Sequence, residues 1–145
     1  MTQPLLLRRP LLAAALLLPL PALAQARLET PRQTRGPFYP VAFPADTDAD
    51  LVRVQGAAAQ AMGTVAHLRG RVTDTAGNAV AGALVEIWQC DAQGIYRHPR
   101  APDTDRFDAN FQGYGRALTD AAGAYAFRTL RPAPYPGRTP HIHVQ

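Results

Sequence analysis

The apolar positions after residue 64 follow patterns typical of β-strands. Val65 to Val72 has the composition of a first strand and Ala83 to Cys90 of a second, in which both faces carry apolar side chains. A strand of that kind belongs inside a sandwich. Further strands are predicted over Gly115 to Thr119 and Ala124 to Leu130. The pattern therefore predicts an all-β fold, an antiparallel β-sandwich with long loops, over residues 64–145.

The segment before the strands divides into two parts. Residues 27–63 are rich in proline, alanine and aspartate and show little periodicity, which predicts an extended N-terminal arm lying over the domain. Within it, Thr30 to Pro40 contains three prolines and cannot be helical. We refer to Thr30–Pro40 as the strap. For Asp46 to Ala61, a short helical turn and an irregular segment both remain open.

Residues 1–26 have the pattern of an export signal. Arg8 and Arg9 form a positive start, an apolar run follows, and small residues around Ala24 and Ala26 offer cleavage sites. The run is too short and too rich in proline for a comfortable membrane span, although an uncleaved anchor is the alternative. The paired arginines resemble a twin-arginine signal. We expect export to the periplasm or beyond, without stable membrane insertion after signal removal.

Charge and cysteine content narrow the possible functions. Removing the export signal with Arg8 and Arg9 lowers the formal net charge from +4 to +2. A charge this small argues against a nucleic-acid partner. Cys90 is the single cysteine, so no internal disulfide can form, and its place at the end of a strand predicts a packed thiol.

The loop between Asp91 and Tyr114 is long for a small domain, and loops of this length are commonly functional or disordered. It contains Asp103, Asp105 and Asp108. Their spacing lacks the rest of a calcium-binding loop. We interpret these three residues as solvated loop acids.

The chemistry-bearing residues concentrate near the end of the sequence. His141 and His143 are two residues apart, so in an extended segment their side chains share one side and can share one metal ion. Tyr135, held between two prolines, precedes His141 by six residues. A phenolate is a hard oxygen donor that suits ferric iron, whereas imidazole alone suits iron, copper and zinc alike. Two strand histidines bonded to the backbone are the structural alternative.

Three segments together resemble one protein family. They are Thr30–Tyr39, Val85–His98 and Tyr135–His143, and they occur in the order found in intradiol ring-cleavage dioxygenases, closest to the protocatechuate type and its exported relatives. The resemblance covers most of residues 30–145. It implies a β-sandwich that binds a non-haem ferric ion and, with dioxygen, opens a catechol between its hydroxyl-bearing carbons to a cis,cis-muconate-type product. No organic cofactor is implied, and a homo-oligomer remains open.

Carried over by motif, the resemblance also assigns residues. It implies that Tyr135 is the more labile metal ligand and acts as a base, and that Arg138 faces the substrate, where a guanidinium can stabilise developing negative charge. The strap would close one side of the substrate pocket. The implied metal ligands are Tyr96, Tyr135, His141 and His143, and the implied pocket residues are Thr34, Gly36 and Pro37.

Two other classes of function stay open from the sequence. The segment Gly70 to Ala83 also resembles transthyretin-like repeats, which would make the chain a non-catalytic binding module. A zinc or copper site on the two histidines would leave the tyrosines unused. Relatives in the dioxygenase family continue beyond the second histidine, so we expect a sandwich that is incomplete at its C-terminal end. The choice of catechol and the oligomeric state are not determined.

Overall fold

The computed structural model describes residues 28–145, and the export signal predicted over residues 1–26 lies outside the described residues. Within this part of the chain, no helix has the length and apolar character needed to cross a membrane. The regular elements are five strands and one short 3-10 helix. They are β1 (Val65–Arg71), β2 (Leu84–Trp88), the 3-10 helix (Thr104–Arg106), β3 (Tyr114–Leu118), β4 (Ala124–Leu130) and β5 (His143–Val144).

The strands form two antiparallel sheets. One sheet pairs β1 with β4, from Val65 opposite Leu130 to Arg71 opposite Ala124. The other has the order β3-β2-β5, so β2 is its central strand. In this sheet Trp88 pairs with Tyr114 on one side and with His143 on the other. The predicted all-β fold with antiparallel strands is confirmed, and the predicted β4 boundaries are those observed.

The core lies between the sheets and explains the pattern of β2. Val85 and Ile87 point into the main apolar cluster, which also contains Phe127 and Leu130 of β4. Trp88 belongs instead to a second cluster around Tyr96. Because the two faces of β2 pack against different clusters, the strand needs apolar residues on both faces. On the Trp88 face the strand also contains Glu86, whose carboxylate accepts a hydrogen bond from the Tyr114 hydroxyl, and the largely exposed Leu84.

The arm contributes to the core as well as covering it. Residues 28–63 contain no helix and only an isolated bridge from Asp50 to Arg128. Leu51 and Val52 are fully buried in the main cluster. The carboxylate of Asp50 accepts a hydrogen bond of 2.9 Å from the Arg128 guanidinium. The segment Asp46 to Ala61 therefore consists of turns that insert two apolar side chains between the sheets.

One interpretation of the long loop was wrong. Asp108 is buried, and its carboxylate accepts hydrogen bonds from the Met62 N–H at 2.7 Å and the Asn110 N–H at 3.0 Å. It joins the loop to the arm, whereas Asp103 and Asp105 are exposed. Buried carboxylates persist where backbone donors satisfy them, and sequence spacing does not show such distant donors.

Candidate metal and substrate site

The four side chains predicted as metal ligands lie together although they come from two loops and β5. The Tyr96 and Tyr135 rings meet edge to face, with centroids 5.4 Å apart. The Tyr135 and His141 centroids are 5.5 Å apart, and those of His141 and His143 are 4.8 Å apart. Tyr96 and His143 are separated by 6.3 Å. The folded chain thus gathers two phenols and two imidazoles into one cluster, which we call the ligand cluster.

A buried carboxylate shapes the turn that brings Tyr96 to this cluster. Asp91 is 1% exposed, and its Oδ1 accepts hydrogen bonds from the N–H groups of Gln93 at 2.9 Å and Ile95 at 3.0 Å. Its Oδ2 accepts a third, of 3.0 Å, from the Asp108 N–H. Three backbone donors satisfy the buried charge. Asp91 therefore fixes the backbone that leads from β2 to Tyr96.

Glycine is required at the same turn because the chain carrying Tyr135 passes close to it. A Cβ added to Gly94 would lie 2.6 Å from the Pro134 carbonyl oxygen and 3.3 Å from the Tyr135 Cβ. Gly94 also has φ of 82°, a conformation that side chains disfavour. The missing side chain lets the Tyr96 and Tyr135 loops pack against each other. This contact holds the two phenols at adjacent positions.

A tight turn connects Tyr135 to Arg138. The Arg138 N–H donates to the Tyr135 carbonyl at 2.9 Å, with Pro136 and Gly137 at the two central positions. Gly137 has φ of 76°. Proline followed by a glycine with positive φ is typical of a type II turn. The turn holds the Arg138 backbone near Tyr135, a predicted metal ligand, by a purely local interaction.

Hydrogen bonding determines which nitrogen of His141 faces the cluster. Its Nδ1 lies 2.7 Å from the Thr139 carbonyl, which only accepts, so Nδ1 carries the proton. Its Nε2 is then the acceptor, and it lies 3.4 Å from the Tyr135 hydroxyl. A carbonyl partner at the far nitrogen is the usual means of orienting a metal-binding imidazole. The Nε2 lone pair of His141 is therefore directed into the ligand cluster.

His143 is oriented by aromatic stacking. Its ring lies parallel to the Trp88 indole, with an interplanar angle of 2° and centroids 4.7 Å apart. Burial, followed by the neighbouring His141 and Arg138, lowers the pKa of His143 to about 4. The imidazole is consequently neutral at neutral pH. A neutral imidazole has the lone pair that metal coordination requires.

The buried phenol of Tyr96 fits a cation. Its hydroxyl has no hydrogen-bond partner of good geometry, although the ring is only 4% exposed. Burial, followed by the nearby Tyr135, raises the pKa of Tyr96 well above its usual value. Within residues 28–145, no group of three His, Cys, Asp or Glu side chains is placed to hold a metal. Two phenols with two imidazoles are a donor set that suits a hard trivalent cation such as ferric iron.

The strap packs directly on the ligand cluster. Phe38 stacks on Tyr96 with centroids 4.7 Å apart, and it approaches Tyr135 edge to face at 6.2 Å. The Arg100 guanidinium donates to the Pro37 carbonyl at 3.1 Å. A Cβ built on Gly36 would stand 3.6 Å from the His143 Cε1. The strap backbone therefore lies in van der Waals range of one predicted ligand and its aromatic ring covers another.

Two cavities flank the cluster. The larger, of about 840 Å³, contains His141, His143 and Arg138, and Thr34 and Gly36 of the predicted pocket also line it. The smaller, of about 220 Å³, is lined mainly by apolar groups and contains the rings of Tyr96 and Tyr135. Pro37 lines neither cavity. Thr34 and Gly36 are thus on the histidine side of the cluster, whereas Pro37 contacts Arg100 through its carbonyl.

Three other aromatic side chains, those of Tyr114, Tyr125 and His98, have partners outside the ligand cluster. The Tyr114 hydroxyl donates to the Glu86 carboxylate, and burial raises the pKa of Tyr114 above its usual value. Tyr125 lies on β4 and packs against Phe127. His98 is buried, and its Nδ1 accepts a 3.1 Å hydrogen bond from the Arg100 N–H. These side chains stabilise the surroundings of the site.

Three supporting residues were missed by sequence reasoning. Asp91 and Gly94 shape the Tyr96 loop, and Trp88 orients His143. An Asp followed three residues later by Gly is a recognisable turn signal, so the Asp91 turn was available from the sequence. The stacking of Trp88 on His143 depends on strand pairing between distant segments. No local pattern indicates it.

Comparison with known proteins gives consistent matches. A sequence model of the family described as Dioxygenase matches residues 34–143. The protocatechuate 3,4-dioxygenase beta chain of Burkholderia cepacia is 36% identical over 119 residues, which cover 77% of this chain and 51% of that relative. Hydroxyquinol 1,2-dioxygenase of Corynebacterium glutamicum is 39% identical over 102 residues, covering 70% of this chain and 30% of that protein. The chain therefore spans about half of the first relative's length and less of the second's.

A solved structure has the same architecture. The dioxygenase domain of a dioxygenase and carbohydrate-binding protein fusion from the cellulolytic bacterium Streptomyces sp. SirexAA-E superposes with a TM-score of 0.60 at 31% identity. The match covers 79% of this chain and 64% of that domain. The matched part of the sequence, from the strap to His143, contains every residue of the ligand cluster.

Proposed function

Because this chain belongs to the intradiol ring-cleavage dioxygenase family, we propose that it takes part in opening a catechol between the two hydroxyl-bearing carbons. The reaction uses non-haem ferric iron and dioxygen and yields a cis,cis-muconate-type diacid. Both atoms of dioxygen enter the product, so the overall reaction balances without an external reductant. The substrates are a small aromatic diol and dioxygen.

The observation that carries this proposal is the ligand cluster itself. Tyr96, Tyr135, His141 and His143 converge from two loops and β5, and the buried Tyr96 hydroxyl lacks a hydrogen-bond partner of good geometry. A non-catalytic binding module gives no reason for this convergence. A zinc or copper site on the histidines gives no reason for two adjoining phenols. Support for iron comes from the donor set and from the family.

The residues of the cluster have different roles in the proposed reaction. Ferric iron, when bound by the two tyrosines and two histidines, supplies a Lewis acid that favours the deprotonated catechol and makes its ring reactive toward dioxygen. Tyr96 is enclosed, so it serves as a fixed ligand. Tyr135 is half-buried, and its hydroxyl contacts the His141 Nε2 at 3.4 Å. The ionised Tyr135 oxygen can therefore accept a proton that the diol releases.

Arg138 supplies positive charge on the substrate side. It lines the larger cavity together with His141 and His143, and the turn at Gly137 holds its backbone. A guanidinium near a catecholate stabilises negative charge as it develops on the ring. Thr34 and Gly36 of the strap line the same cavity, where they can contact the ring.

The direct test is turnover by the ferric-loaded chain. Catechol, 3,4-dihydroxybenzoate and hydroxyquinol are offered in turn, and dioxygen uptake is measured beside the ultraviolet absorbance of the ring-opened diacid. One dioxygen consumed per diacid formed supports the proposal. The Tyr135→Phe variant is expected to lose at least about 100-fold in kcat, on the scale of general acid-base catalysis. Tyr125→Phe, a matched change on β4, is expected to keep activity. A folded, iron-loaded chain that leaves all three aromatic compounds intact contradicts the proposal.

The cellular location is part of the proposal. Residues 1–26 support export, and the paired Arg8 and Arg9 favour the twin-arginine route. Fractionation of a host that expresses the full chain, followed by N-terminal sequencing, should find a periplasmic or secreted form beginning near residue 27. Arg8→Lys together with Arg9→Lys should retain the protein in the cytoplasm if the twin-arginine route is used. Retention of the unaltered chain in the cytoplasm contradicts export.

A further inference from the structure

Several cationic side chains line the larger cavity. Its wall includes three arginines, namely Arg32 and Arg35 of the strap and Arg138 of the turn. No Asp or Glu is among the described residues that line it. A cleft lined by charge of one sign attracts ligands of the other sign and raises their local concentration. The cavity is therefore suited to a ligand more anionic than a simple diol.

Two contacts define the orientation of the Arg35 side chain. Its Nε donates to the Gln145 Oε1 at 2.7 Å, and its guanidinium lies 4.4 Å from the centroid of the Tyr39 ring. These contacts use the Nε and one face of the planar group. Within residues 28–145, its two terminal nitrogens make no hydrogen bond. Two parallel donors therefore remain for a ligand.

The backbone beside Arg35 lies close to the proposed reaction centre. The next residue, Gly36, lies against the His143 ring, with 3.6 Å between its built Cβ position and the His143 Cε1. Both residues line the same cavity as Arg138. The cavity volume of about 840 Å³ exceeds what one unsubstituted ring needs.

We infer that Arg35 is a specificity-determining residue that binds a carboxylate substituent on the aromatic diol, an inference that rests on the proposed function. A guanidinium binds a carboxylate through two parallel N–H donors, which gives both energy and direction. Arg138 is engaged by negative charge on the ring, so the strap supplies a separate cation for the substituent. Arg32, on the same strap, adds to the positive potential. The favoured substrate is a dihydroxybenzoate rather than catechol.

The test compares two diols without turnover. The ferric-loaded full chain is titrated anaerobically with 3,4-dihydroxybenzoate and with catechol, and the change in its visible absorption gives each Kd. The unaltered protein should bind 3,4-dihydroxybenzoate more tightly. Arg35→Gln should raise that Kd at least about tenfold, as expected for a lost charged hydrogen bond, and leave the catechol Kd within about twofold. Arg35→Lys keeps the charge but loses the paired donors. Its Kd for 3,4-dihydroxybenzoate should lie between those of the unaltered protein and Arg35→Gln.

Two controls separate specificity from other effects. Arg71→Gln removes an exposed arginine at the end of β1 and should change neither Kd. Iron-free protein should show saturation-transfer NMR contact with benzoate, a carboxylate without hydroxyl groups, and Arg35→Gln should abolish it. Equal affinity for both diols, or an equal loss for both in Arg35→Gln, overturns the role of Arg35 while the proposed function stands. If neither diol changes the spectrum, the proposed function fails and this inference fails with it.

Discussion

The Phe38 ring stacks on the Tyr96 ring, with centroids 4.7 Å apart and planes inclined by 30°. The contact joins the strap to a predicted metal ligand that lies 58 residues later in the sequence. Phe38 also approaches Tyr135. A single strap side chain thus limits the movement of both phenols, and the strap is part of the site as well as a cover over the sandwich.

Replacing this ring should loosen both phenols. Phe38→Leu is expected to lower the free energy of unfolding by about 0.5–1.5 kcal/mol, the usual contribution of an aromatic pair, and to weaken ferric-iron binding. Chemical denaturation and iron titration measure the two effects. Phe43→Leu is the matched control, because Phe43 lies just after the strap but contacts Tyr39 and Tyr114. Equal loss of iron affinity in both variants would contradict the role assigned to Phe38.

Gly94 should tolerate no side chain. Gly94→Ala brings a Cβ to 2.6 Å from the Pro134 carbonyl oxygen and must also adopt φ near 82°. We expect destabilisation by about 1–3 kcal/mol from the conformation alone, with more from the clash. Gly82→Ala has a similar φ of 71° and nothing within 4 Å, so it isolates the conformational cost. Denaturant unfolding measures both. The contact is unimportant if the two variants lose equal stability.

The carboxylate of Asp91 should be irreplaceable by an amide. Asp91→Asn keeps one accepting oxygen but turns an NH2 group toward either the Asp108 N–H or the pair of donors at Gln93 and Ile95. An unsatisfied buried donor costs about 1–3 kcal/mol. Asp120→Asn is the control, since Asp120 accepts two backbone hydrogen bonds in an exposed turn. The midpoint temperature of thermal unfolding measures both variants. A decrease for Asp91→Asn no larger than for Asp120→Asn would contradict this role of Asp91.

Cys90 should be unreactive in the folded protein. It is 1% exposed, and burial raises the pKa of its thiol, so the thiolate fraction at pH 8 is smaller than in a free cysteine. Because the folded pKa is the raised one, this preference for the neutral thiol stabilises the fold at neutral pH and is lost as pH rises through the folded value. Alkylation at pH 8 should be at least about tenfold slower than in denaturant. Equal rates would show that the thiol is accessible.

Much of the fold could be predicted because strand patterns are local. The four long strands follow directly from alternating or continuous apolar positions, and β4 has its predicted limits. The turn after β1 is held by Asp74 and Asn78 as its sequence indicates. Burial of Leu51 and Val52 was not predicted, because it depends on how the arm crosses the sandwich. Composition alone assigned that segment to the surface.

The site could be predicted only in part. The spacing of His141 and His143 indicates a shared side by strand geometry alone. Spacing could not favour Tyr96 over Tyr114 or Tyr125, and only the family motif did so. The structure supplies the physical reason: the Asp91 turn carries Tyr96 to the cluster, while the Tyr114 hydroxyl is engaged by Glu86. Such partners lie far apart in sequence and are fixed by packing.

The most direct measurement of the central claim is a ferric-iron titration of the purified chain followed by visible absorption. We expect a broad tyrosinate-to-iron absorption band that saturates at one iron per chain. Tyr96→Phe and Tyr135→Phe should each weaken or shift this band, and Tyr125→Phe should leave it unchanged. A folded protein that stays colourless, or one whose band is insensitive to both Tyr96→Phe and Tyr135→Phe, would contradict the proposed iron site.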